Sequence, residues 1–222
     1  MQVKNTAGNF EFPAIETAIK QSRLGRYMPV PGYDRETAIK FYIWNCQLSE
    51  AFQFPLHMAE VTCRNAIQKG LNTRFKNPWF DQPDLKRLLD RRQLDHLEAV
   101  IAEERHQHAA KMTGDHIVSS LSFGFWDHLT TKRFDRTLWL RGIQHNFPGA
   151  YSARMTLSDV NALIQKVRRW RNRIAHHRAI FDKDPARKYD ETLRLIEWVC
   201  PKTARWVDDL SNVRAALALR PA

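Results

Sequence analysis

No stretch of this chain sustains an alternation of β-branched and polar residues, while apolar residues recur at intervals of three and four. Its eight glycines are few, and glycine and proline gather in short runs such as "RYMPVPGYDRE", "KNPWFDQPD", "TGDH" and "NFPGAY". The segments between those runs hold few helix breakers, so the sequence predicts an all-α fold. A long helix is expected over residues 35–71, capped by Asp34, with Pro55 kinking or briefly breaking it. Its apolar positions are Ile43, Leu48, Phe52, Leu56, Ala59, Cys63 and Ile67. A second, amphipathic helix is expected over 85–112 through Leu88, Leu89, Leu94, Leu97 and Ile101. After the apolar segment "IVSSLSFGFWDHLT" and a basic, aromatic stretch through Trp139, helices are expected over 156–176, 185–199 and 202–219, with Pro201 parting the last two.

No internal repeat, linker or low-complexity segment divides the chain. It reads as an N-terminal segment and loop over residues 1–33 followed by one helical domain over 34–222. A hydrophobic content of 43% against 27% charged residues excludes wholesale disorder. No apolar run approaches membrane-spanning length, and the first twenty residues lack an apolar signal core, so a cytoplasmic protein without a membrane partner is expected. Cys46, Cys63 and Cys200 stand far apart and outside any C-x-x-C pattern, which fits free thiols in a reducing compartment. The net charge of +11 points to an anionic partner, and nucleic acid is the first candidate because phosphates supply most non-specific affinity.

The densest chemistry lies in "WRNRIAHHRAIF", Trp170 to Phe181. Val160, Leu163, Ile164, Val167, Trp170 and Ile174 form one apolar helical stripe leading into it. Asn172 and His176 are i,i+4 neighbours, while Arg171 and His176 stand about 140° apart on a regular helix. The two meet only if the helix breaks between them or if another surface, such as a second copy of the chain, brings them together. These residue types suit RNA cleavage. Histidine can accept and donate protons near neutrality, and arginine can bind phosphoryl oxygens through two donors. The bland alternative is a solvated basic face with a structural histidine; Arg91 and His96 repeat the same interval elsewhere.

"RNRIAHH" resembles the R-x(4–6)-H motif of HEPN domains, in which a polar residue, often asparagine, follows the arginine. More closely, "LIQKVRRWRNRIAHHRAIF" is similar to the C-terminal signature of Abi-like proteins of the AbiD/AbiF abortive-infection type, which carry a HEPN-like helical core. "LHMAEVTCRNAI" and "SFGFWDHL" are similar to that family's early helix and middle segment, so the likeness spans roughly residues 35–219. The resemblance implies a HEPN-like helical bundle with additional helices, acting as a homodimeric endoribonuclease in phage defence or as a toxin. The arginine and histidine of both chains would converge at its interface. It implies that Arg171 stabilises the phosphate, Asn172 supports it, His176 transfers protons and His177 contributes. RNA, a second copy and an antitoxin or regulatory partner are the implied partners, with no cofactor. Phe181–Asp182 stands where tryptophan–asparagine is expected, and no tyrosine follows at the spacing of HEPN toxins modified by nucleotidyltransferases. The alternative is a non-catalytic RNA- or nucleotide-binding regulatory module.

Glu60 and Arg64 are i,i+4 on the long early helix and are either an ordinary ion pair or a support for Arg171 or His176. Arg168, Arg169, Arg173 and Arg178, with Lys132, Arg133 and Arg136, are the expected RNA contacts, whereas Trp126 and Trp139 are expected in the core. His106, His108 and His116 come without cysteine or firm ligand spacing, so they are expected as exposed surface histidines and no metal site is assigned. The sequence has no phosphate-binding glycine loop, H-E-x-x-H or nucleophile elbow.

Overall fold

Asp34 sets where the longest helix begins: its carboxylate accepts a hydrogen bond from Thr37 N at 2.7 Å. From there α3, Arg35–Arg74, runs 40 residues, about 60 Å. The computed structural model describes residues 11–28 and 34–221, with Phe12 by its backbone only; residues 29–33, the middle of the "RYMPVPGYDRE" loop, therefore lie outside the described residues. Before α3 come α1, Phe12–Ile19, and α2, Gln21–Leu24, which leads into a 3₁₀ turn, Gly25–Tyr27. After it come α4 (Pro83–Leu88), α5 (Arg91–His108), α6 (Gly114–Ser120), α7 (Phe123–His128), α8 (Pro148–Ser152), α9 (Leu157–Ala175), α10 (Pro185–Val199), α11 (Pro201–Leu210) and α12 (Val213–Ala218). The fold is all-α, with no strand among the described residues.

The helix α3 is the spine. Leu48, Phe52, Leu56, Ala59, Cys63 and Ile67 are buried along it as expected, but Ile43 is 44% exposed. Pro55 brings no break. It is buried in an uninterrupted helix, where its burial offsets the hydrogen bond that proline cannot donate. The N-terminal half of α3 receives α10 and α12: Phe52 meets Tyr189 edge to face, and Trp44 Nε1 donates to Ala216 O at 2.7 Å. Its C-terminal half receives the 130s and 140s, with Asn146 Nδ2 donating to Ala66 O and Arg74 Nε to Thr137 O. One hydrophobic cluster runs from Tyr27 to Ala216. Trp126 and Trp139 lie within it.

Two expected helices, and the apolar segment between them, each divide into shorter helices. The 85–112 helix is two, because the Asp90 carboxylate caps a new start by accepting from Gln93 N at 2.8 Å. The segment after it is likewise split, with Ser122 capping α7, and the last helix parts at Ser211 and Asn212. Among the described residues of the N-terminal segment, 12–27 are mostly helical and pack on the body, with Leu24 and Tyr27 buried against α3. All three cysteines are free, and no helix among the described residues is long and apolar enough to cross a membrane.

Candidate functional site

Thr156 and Asp159 start α9 with a reciprocal cap, Thr156 N donating to Asp159 Oδ2 at 2.8 Å and Asp159 N to Thr156 Oγ1 at 3.3 Å. The six stripe residues from Val160 to Ile174 are then all buried. The helix stops just before the histidine pair. His177 N donates to Ile174 O at 2.9 Å and Arg178 N to Arg173 O at 3.0 Å, the paired bonds of a Schellman end. His176 is the C-cap, and His177 occupies the left-handed position after it, with φ 51°, where glycine is usual.

The backbone that follows is held from three sides. Arg173 Nε donates to Ala179 O at 2.6 Å. Asn45, buried on α3, accepts from Ile180 N at 2.7 Å and from Phe181 N at 3.3 Å. Arg23 Nη2 donates to His177 O at 2.8 Å, and the Tyr27 ring stacks on Phe181 with centroids 5.4 Å apart. Arg23, Arg26, Tyr27, His176, His177 and Arg178 line a cleft of about 300 Å³. Three guanidiniums and two imidazoles around one cleft make a site suited to a phosphate.

Arg171 lies on another side of α9. Its Nε stands 3.3 Å from Glu60 Oε2, and its Nη1 donates to Asn172 Oδ1 at 3.4 Å. The Arg171 side chain is 45% exposed, so the carboxylate steadies a guanidinium that water and ligands still reach. Glu60 thus pairs with α9 rather than with Arg64 one turn along; Arg64 Nε is buried without a hydrogen-bond partner. Within one chain, no contact among the described residues joins Arg171 to His176. The first sits against α3 and the second at the cleft beneath α2.

Two of the expected RNA contacts serve the fold. Arg173 anchors Ala179, as described. Arg168 Nε lies 2.8 Å from Asp127 Oδ2, at an angle too bent for a good hydrogen bond, so the contact is chiefly an ion pair. Burial pushes the Asp127 carboxyl above its usual range, with the adjacent Arg168 opposing the shift. Asn161 Nδ2, donating to Asp127 Oδ1 at 3.0 Å, completes the link between α7 and α9. Arg169 and Arg178 are exposed, as are Lys132, Arg133 and Arg136. The last three follow α7 near the C-terminal end of α3, whereas the histidine loop sits by Asn45. The two basic groups are thereby separated by much of the spine.

Sequence reading missed Arg23, Arg26 and Asn45. Nothing local in "QSRLGRY" ties it to histidines 150 residues later; the tie exists only once the 20s and the 180s pack on the same half of α3. The histidines of "ERHQHAAKMTGDH" also depart from expectation. His106 is exposed, but His108 and His116 are half-buried and stacked, with ring centroids 3.9 Å apart. The chain reverses after α5 and starts α6 beside it, which brings the rings together. No family model, curated protein or solved structure matches this chain. The likeness to Abi-like proteins therefore stands on the motif residues by themselves.

Proposed function

We propose that this chain is a metal-independent endoribonuclease of HEPN type, acting as a homodimer in phage defence or as a toxin. The observation that carries the reading is an over-determined loop: Asn45, Arg23 and Arg173 together fix a backbone whose outward residues are two exposed imidazoles. Rigid support of that kind is what a reacting group needs. The Glu60–Arg171 pair, which presents a guanidinium on the same helix, supports it further.

In this mechanism His176 takes the proton from a ribose 2′-hydroxyl, and the freed oxygen attacks the adjacent phosphorus. The bond to the 5′-oxygen breaks, and that oxygen takes a proton from His176 of the partner subunit. Arg171 binds the phosphoryl oxygens as charge builds on them, with Asn172 and His177 in support. The products are a 2′,3′-cyclic phosphate and a 5′-hydroxyl. Arg171 and His176 diverge within one chain, so the reaction requires a second copy to complete the site. The same divergence favours the second reading, an RNA-binding module without turnover.

Purified chain, its Arg171→Ala variant and its His176→Ala variant, each sized by sedimentation and incubated with single-stranded RNA, decide between the two. The nuclease reading expects a dimer throughout and cleavage lost in both variants. Cleavage that persists in both, or a wild-type chain that shifts RNA in a gel and never cuts it, overturns the nuclease.

A further inference from the structure

Glu104 is a buried carboxylate, 7% exposed, at the C-terminal end of α5. One turn on, His108 Nε2 lies 3.2 Å from Glu104 Oε2, and across the reversal His116 of α6 stacks on His108 with the rings 13° from parallel. One ligand atom from each of the three residues lies within 4.8 Å of the others. Ser120 Oγ donates to Glu104 Oε1, which leaves the other carboxylate oxygen facing the rings. Apart from His108, no basic side chain among the described residues pairs with this carboxylate.

From this geometry we infer a binding site for one divalent transition-metal ion of the zinc type, held by Glu104, His108 and His116. Two imidazoles and a carboxylate are the donor set of open zinc sites, with a fourth position left to water. Ligands about 2.0–2.1 Å from a tetrahedral ion stand roughly 3.4 Å apart. The Glu104–His108 pair already has that spacing, and a side-chain rotation of His116 closes the rest. His116 Nδ1 now accepts from Thr113 N at 3.1 Å, so its other nitrogen carries the ring proton. Coordination therefore takes the lone pair from that cap: the ion displaces Thr113 N–H, and the bound state exchanges a helix cap for a metal bond. Ser120 acts through Glu104, fixing the carboxylate as supporting hydrogen bonds do around metal ligands.

The ion would staple the end of α5 to the start of α6 across the turn that contains Ala109, a non-glycine residue with φ 46°. The site is independent of the nuclease reading. Thr113 and Gly114 share a cavity wall with Gln68 and Asn72 of α3, about 35–40 Å along that helix from Asn45 and the histidine loop.

Calorimetric titration of zinc into the full chain, previously stripped with chelator, tests the inference. The expected result is one zinc per chain, with the affinity reduced on the order of 100-fold by Glu104→Gln and by His108→Gln, and about tenfold by Ser120→Ala. His106→Ala, exposed on the same helix, leaves the affinity unchanged. Circular dichroism confirms that each variant is folded, and the isosteric Glu104→Gln carries the test if His108→Gln is not. A wild-type chain that binds no zinc, an affinity indifferent to Glu104→Gln, or a His106→Ala variant as impaired as His108→Gln overturns it. None of these readouts involves RNA, so failure of the nuclease reading leaves this test intact.

Discussion

His177 is held with φ 51° because the Schellman end needs a left-handed residue there, a conformation that costs most side chains and suits glycine. His177→Gly is therefore expected to raise the unfolding free energy by about 0.5–1 kcal/mol in urea titrations. A loss of stability would mean that the imidazole itself supports the loop. Glu60 makes the opposite kind of case. Its pair with Arg171 is partly exposed, so Glu60→Gln should change stability by less than about 1 kcal/mol. The same substitution should lower RNA cleavage roughly 10- to 100-fold, because an unsteadied guanidinium no longer meets the phosphate in one geometry. Cleavage at the wild-type rate would assign Glu60 to packing alone. At this scale the sequence made Arg171, Asn172, His176 and His177 visible, since their spacing is local. Asn45 and Arg23 were invisible: what each does depends on a backbone group more than 130 residues away.

Helices fixed by their own periodicity and caps were legible as elements. The stripe from Val160 to Ile174 and the proline-led start of α10 lie where the residues place them. Where one apolar pattern covers two helices, periodicity cannot see the joint; Asp90 and Ser122 make it by capping, a competition decided by single hydrogen bonds. Close approach between elements was equally hidden. A Cβ on Gly149 would stand 2.6 Å from Glu197 O and 2.8 Å from Trp198 Cα, so α8 lies on α10 only because that residue has no side chain. Gly149→Ala is expected to cost about 1–3 kcal/mol in chemical denaturation, since backbone must move to admit the methyl group. An unchanged midpoint would show that α8 shifts freely.

At the scale of the whole molecule two exposed basic groups lie apart along the α3 spine, the histidine cleft toward one end and Lys132, Arg133 and Arg136 toward the other. Fold class was legible from helical spacing; the meeting of Glu104 with His108 and His116 was not, because it depends on how the chain reverses between α5 and α6. Stability against acid is also a property of the whole. Burial would raise the Glu191 carboxyl, but hydrogen bonding and charge from Lys188, with Arg187 and Lys166 nearby, bring it below its ordinary value of 4.5. Its contribution is thus full above pH 4.5 and is lost as pH falls through the lower folded value. Glu191→Gln should flatten the acid limb of stability against pH, as followed by thermal melts from pH 3 to 7; a limb of unchanged slope would contradict the assignment. The central claim is chemical, and the ends of the cut RNA report on it most directly. Mass spectrometry of the fragments should find 2′,3′-cyclic phosphates and 5′-hydroxyls, both absent with His176→Ala. Fragments with 3′-hydroxyls and 5′-phosphates, or the same cyclic ends from the variant, would contradict it.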